Sequence, residues 1–172
     1  MNAEKNVYRG LKILFSLAIG VMVIAAVALV ALSIVLNSGQ VQEFIQSIPE
    51  GEMLYGTDTP LLFTSPLIVG SLLVVFLLNG FLFYFTRSFF KNLEMDQIFV
   101  PENVVTAKKV AVLLLISSVF SSLPDVFASM QGIGNEGFSL ELTYVVGAAI
   151  VWALGKILEK ANLIAEENEL TI

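Results

Sequence analysis

The chain has 172 residues, 56% of them hydrophobic and only 14% charged, and its mean hydropathy is +0.84. A water-soluble domain of that composition would expose large apolar patches, a problem that lipid solvent removes. With no Cys and no His, the chain excludes disulfides, thiolate or imidazole metal sites and Cys- or His-based catalysis, and its net charge of −6 argues against direct binding of nucleic acid.

Residues 1–12 are short and basic, with Lys5, Arg9 and Lys12. The run 13–36 is apolar apart from Ser16, Gly20 and Ser33, and at about 1.5 Å per residue it reaches about 36 Å, enough for a tilted first span. Ala26-Val27-Ala28 resembles a signal-peptide cleavage site, but signal cores are about 7–15 residues and this run is longer.

The outer loop 37–60 has no Lys or Arg and carries Glu43, Glu50, Glu52 and Asp58. Val41, Phe44, Ile45 and Ile48 recur at helical spacing, which predicts a short amphipathic helix at the lipid interface or capping the bundle; its functional counterpart is an outer lid or sensor. Pro49, Gly51, Gly56 and Pro60 mark the remainder as loop.

The second span covers 61–85, with Pro66 suited to a first helical turn. Asn79 lies in its inner half as interhelical glue or, on the sharper reading, an ion or substrate ligand. The loop 86–106 holds Arg87 and Lys91, a turn at Asn92–Asp96, and Pro101-Glu102-Asn103 as a helix start.

The third span, 107–130, is the most polar. Ser118, Ser121, Ser122, Asp125 and Ser129 fall on one stripe that cannot comfortably face lipid. Asp125 is about 22 Å along the helix from Val110, towards the outer surface. Packing plus a wet outer vestibule is favoured there over a transport or proton path, with Pro124 kinking the helix. The outer loop 131–139 holds Gly132, Gly134 and Gly137, and no strand precedes it to make it a phosphate cradle. The fourth span, 140–160, offers Gly147, Ala148, Ala149, Ala153 and Gly155 for close helix approach, with Trp152 expected in packing. In the tail, 161–172, Glu166, Glu167, Asn168 and Glu169 precede Leu170 and Ile172. This is either a frayed end or a docking tail whose acids meet Lys108, Lys109, Arg87 or Lys91.

Four spans put all nine basic residues on one side and none in either outer loop. The positive-inside rule makes that side cytoplasmic. The expected fold is all-α: a single polytopic domain, an antiparallel four-helix transmembrane bundle in the plasma membrane with both termini in the cytoplasm.

Phe99-Val100-Pro101-Glu102-Asn103-Val104 and the ending Glu166-Glu167-Asn168-Glu169-Leu170-Thr171-Ile172 resemble the bacterial family known as domain of unknown function 2975. That resemblance implies a small integral membrane protein with four spans. Genes of the family often neighbour one for a small helix-turn-helix regulator, which implies a membrane partner that restrains or informs that regulator.

Two functions follow as expectations. One is a regulatory or sensor partner of a small cytoplasmic helix-turn-helix protein, whose basic surface Glu166, Glu167 and Glu169 would complement. The alternative is a small transporter or channel subunit using Asn79, Ser118, Ser121, Ser122 and Asp125. No pair of acids lies at membrane depth, so enzymatic activity is not expected. No cofactor is implied, the lipid bilayer is the obligatory partner, and a homo-oligomer is compatible with the sequence.

Overall fold

The computed structural model describes residues 2–39, 41, 43, 62–132 and 137–169. Phe44, Ile45 and Ile48 of the expected amphipathic helix, the loop that follows to Pro60, Gly134, Leu170 and Ile172 lie outside those residues.

The described elements are α1 (Asn2–Leu36), α2 (Pro66–Glu94), α3 (Pro101–Phe120), α4 (Leu123–Met130) and α5 (Leu142–Glu169), with no strand among the described residues. Counting α3 and α4 as one interrupted crossing, four helices are long and apolar enough to span a membrane. Within each helix the backbone groups pair internally, which lipid demands. Pro66 and Pro101 each open a helix where the missing N–H costs nothing.

α2 ends in a Schellman turn. Asp96 sits in the left-handed region at φ 65°, the N–H of Gln97 donates to the carbonyl of Asn92 at 2.9 Å, and that of Asp96 donates to Leu93 at 3.1 Å. The third crossing breaks at Ser121–Ser122, just before Pro124, which is at the start of α4. Next to the break, the carbonyl of Ser118 accepts the N–H of Glu141 at 3.1 Å, so the start of α5 is tied to the bend.

The substantial contacts join α1 to α2, α2 to α3 and α4, and α3 to α5, so α2 and α3 form the middle and α1 and α5 flank them. Burial follows that order: 6% of the most apolar stretch of α1 is buried, against 22% in α2 and in the third crossing. Leu17, Val21, Ile24 and Val27 are exposed, so the face of α1 away from α2 is apolar and uncovered within the chain, as a helix in a bilayer can be.

α3 and α5 run antiparallel and close together. A Cβ built on Gly155 would lie 3.2 Å from the Cβ of Ala107, and one on Gly147 would lie 3.7 Å from Leu114 Cδ1. Ala148 is buried between them in sequence, whereas Ala149 and Ala153 are exposed. Trp152, expected within the packing, is instead exposed, with the Lys156 ammonium 5.8 Å from its ring. A contact this close admits Gly and Ala but has no room for an indole.

One end of the assembly collects the charge. Glu94 accepts from Arg9 at 2.9 Å and from Lys12 at 2.5 Å, and Asp96 pairs with Lys5 at 3.1 Å. Glu159 bridges Lys108 at 2.8 Å and Lys156 at 2.9 Å, and Lys109 lies 5.1 Å over the Phe85 ring. Beside the first clamp, Phe15 stacks on Phe90 with centroids 5.8 Å apart.

Candidate functional site

The polar residues of the third crossing do not act as one stripe. Ser118 and Ser122 are buried, and their hydroxyls donate back to Leu115 O at 2.7 Å and Val119 O at 3.2 Å. Ser129 does the same to Val126 O at 2.9 Å. Such bonds satisfy a hydroxyl in an apolar setting and bend the helix slightly. Asp125 is exposed in the first turn of α4, where the positive end of the helix dipole favours a carboxylate.

Asn79 meets a different pair. It lines a seam with Ser117, Ser121 and Tyr144, and its amide donates to Val75 O at 2.9 Å. Ser117 is 3% exposed and its hydroxyl has no hydrogen-bond partner among the described residues. The seam has no room for a water molecule, so it is closed packing between α2, α3 and α5. Thus Asn79 and Ser121 come together, with Ser117 added, while Ser118, Ser122 and Asp125 point elsewhere. At the outer end, the Gln131 amide donates to Ser65 Oγ at 2.7 Å, linking α4's exit to α2's entry.

The more ordered polar centre lies at the charged end and is built on Asn103. This residue is 0% exposed. Its Oδ1 accepts from Asn92 Nδ2 at 2.8 Å, and its own Nδ2 donates to Gln97 O at 2.7 Å and Ile98 O at 2.9 Å. One side chain therefore holds the end of α2, the reversing loop and the start of α3 in a single arrangement. The sequence marks Pro101-Glu102-Asn103 as a helix start; its third residue is a loop anchor as well. A signal for this existed, because Asn103 lies four and eight residues before the buried Ala107 and Ala111, on the inward face of α3.

Register places Asn162 near that anchor. Gly147 lies opposite Leu114 and Gly155 opposite Ala107, so α5 passes the first turn of α3 just before residue 162. Asn162 is buried and its Oδ1 has no partner among the described residues. Beyond it Leu163 and Ile164 are exposed, as are Glu166 and Glu167. Lys108, one of the cations offered to the tail acids, is engaged by Glu159, and Lys109 by the Phe85 ring. The backbone of Asn168 and Glu169 completes α5.

Four apolar helices packed antiparallel around α2 and α3 define a small multi-span membrane protein. Among known families, the chain belongs to the one described as Protein of unknown function (DUF2975), whose model matches residues 52–172. The match takes in α2 to α5, the Asn103 loop and the acidic tail, and leaves α1 outside. No curated protein and no solved structure matches the chain.

Proposed function

We propose that this protein is a plasma-membrane regulatory partner whose cytoplasmic face binds a small basic helix-turn-helix regulator, and that it performs no chemistry of its own. The observation that carries the reading is the length of α5. From Leu142 to Glu169 it has 28 residues, about 42 Å at helical rise, against a hydrocarbon core of about 30 Å. Its last turns therefore stand clear of the lipid as a rigid arm. The arm turns Asn162 inward and presents Leu163 and Ile164 beside Glu166 and Glu167, an apolar patch rimmed by acid. A basic DNA-binding protein is the complement of that surface, with charge steering the encounter and the apolar pair supplying contact area.

The orientation follows from the nine basic residues, all outside the two outer loops. The chain has no native Cys, so single cysteines report cleanly. Gln97→Cys is expected to resist a membrane-impermeant maleimide in intact cells and to react after permeabilisation, whereas Ser139→Cys should react in intact cells. The reverse pattern would invert the topology and remove the arm from the cytoplasm.

Deleting residues 166–172 is expected to abolish co-purification of a small basic helix-turn-helix regulator co-expressed with the full chain, while leaving the membrane level of the truncated chain unchanged. Glu166→Lys should weaken capture and flatten its salt dependence, as expected for a charge at the rim. Full recovery of the regulator with the truncated chain would dispose of the arm as its docking site.

A further inference from the structure

We propose that the groove between α1 and α2 seats an acyl chain of an anionic phospholipid whose phosphate is held at the groove's charged end by Arg87. The groove encloses about 460 Å³ and is lined by apolar surface, including Ile19, Val23 and Ala26 of α1 and Phe76, Gly80 and Tyr84 of α2. Its floor is open at Gly80, where an added Cβ would meet nothing within 4 Å. The lining falls within the two apolar spans, so the bilayer itself supplies the occupant: a hydrocarbon tail.

The headgroup follows from spacing and charge. Ser16 precedes Ile19 by one turn and Arg87 follows Tyr84 by one turn, so both lining faces run on to the point where Arg87 Nε donates to Ser16 Oγ at 2.7 Å. That bond uses Nε and leaves the two Nη groups without a protein acceptor among the described residues. Lys91, one turn further on the same face, is exposed. The nearby acids are committed elsewhere, Glu94 to Arg9 and Lys12 and Asp96 to Lys5. Among the described residues neither Arg87 nor Lys91 has an acid within ion-pair distance. A guanidinium fork beside an ammonium, at the mouth of an apolar groove, is the complement of a phosphodiester on a hydrocarbon tail. A second copy of this chain would match the lining, but the 13–36 span it would insert carries no acid for Arg87. The proposal depends on membrane insertion and not on the regulator reading.

The test is native mass spectrometry of the full chain in mild detergent, titrated with phosphatidylglycerol or with phosphatidylcholine of the same acyl chains. One phosphatidylglycerol per chain is expected to bind roughly fivefold or more tightly than phosphatidylcholine. Arg87→Gln should bring the two lipids level, and Arg87→Lys should keep most of the preference. Gly80→Leu, whose Cβ meets nothing within 4 Å and whose side chain occupies the groove, should weaken both lipids. Lys160→Gln removes a cation at the same end but off the groove and should change nothing. Should Arg87→Gln fail to fold, Lys91→Gln carries the same expectation at roughly half the effect. Equal binding of the two lipids by the unaltered chain, or a preference that survives Arg87→Gln, would overturn the proposal. So would an equal loss in Lys160→Gln, which would mean diffuse attraction, or a lipid-free dimer that Gly80→Leu dissociates.

Discussion

Asn103→Leu should destabilise the protein by about 2–5 kcal/mol, because it strands the carbonyls of Gln97 and Ile98 and the amide of Asn92 in one step. Leucine keeps the branched shape of asparagine but is bulkier, so crowding against the two carbonyls adds to the loss of polar pairing. The measurement is the denaturation midpoint in detergent, followed by helical circular dichroism. Asn103→Asp separates donor from acceptor: it keeps an oxygen for Asn92 but turns a carboxylate towards two carbonyl oxygens. It should be at least as damaging as Leu. A change below about 1 kcal/mol for either variant would show that water replaces the side chain and that the loop is not anchored there.

Gly155→Leu should force α3 and α5 apart. The Cβ alone would come 3.2 Å from the Cβ of Ala107, and both helices present backbone-bearing faces there that have no flexible side chain to yield. Overpacking of this kind typically costs about 1–3 kcal/mol, occasionally more. Gly155→Ala asks for a shift of only a few tenths of an ångström and should cost less. Pairing it with Ala107→Gly should restore stability, which a double-mutant cycle reads directly as coupling. Gly20→Leu is the comparator, since a Cβ there meets nothing within 4 Å and the position is exposed. Equal stability of Gly155→Leu and Gly20→Leu would mean that the α3–α5 approach is looser than the distance implies.

The two sites were unequally legible in the sequence. Helix number and the clustering of charge follow from long Leu, Val and Ala runs and from where Lys and Arg are allowed to lie, because lipid penalises both unpaired backbone and buried charge. Pro66, Pro101 and Pro124 mark helix starts and a bend for the same local reason, a missing N–H. Rotation about the helix axis is not legible in the same way. Ser118, Ser121, Ser122 and Asp125 share a helical stripe only if the helix is unbroken, and the break at Ser121–Ser122 turns Asp125 away from the seam that Ser121 and Asn79 share. Ser117, one residue off the stripe, faces that seam instead. Glu94 and Asn103 are ordinary residues in their own segments, and their weight comes from partners as many as 85 residues away in one case and from a loop reversal in the other. Trp152 shows the limit of a small-residue pattern, which locates a close approach but not what lies beside it.

The Glu94 clamp also has a consequence for biosynthesis. Arg9 and Lys12 leave the ribosome 85 and 82 residues before the carboxylate that pairs with both. Through that interval Glu94 is not there to pair with them, and on the orientation proposed above both cations would hold the first helix at the cytoplasmic face. On that cytoplasmic orientation, the arrival of Glu94 with α2 would convert the orientation signal into a clasp, the same two side chains fastening the first segment to the second.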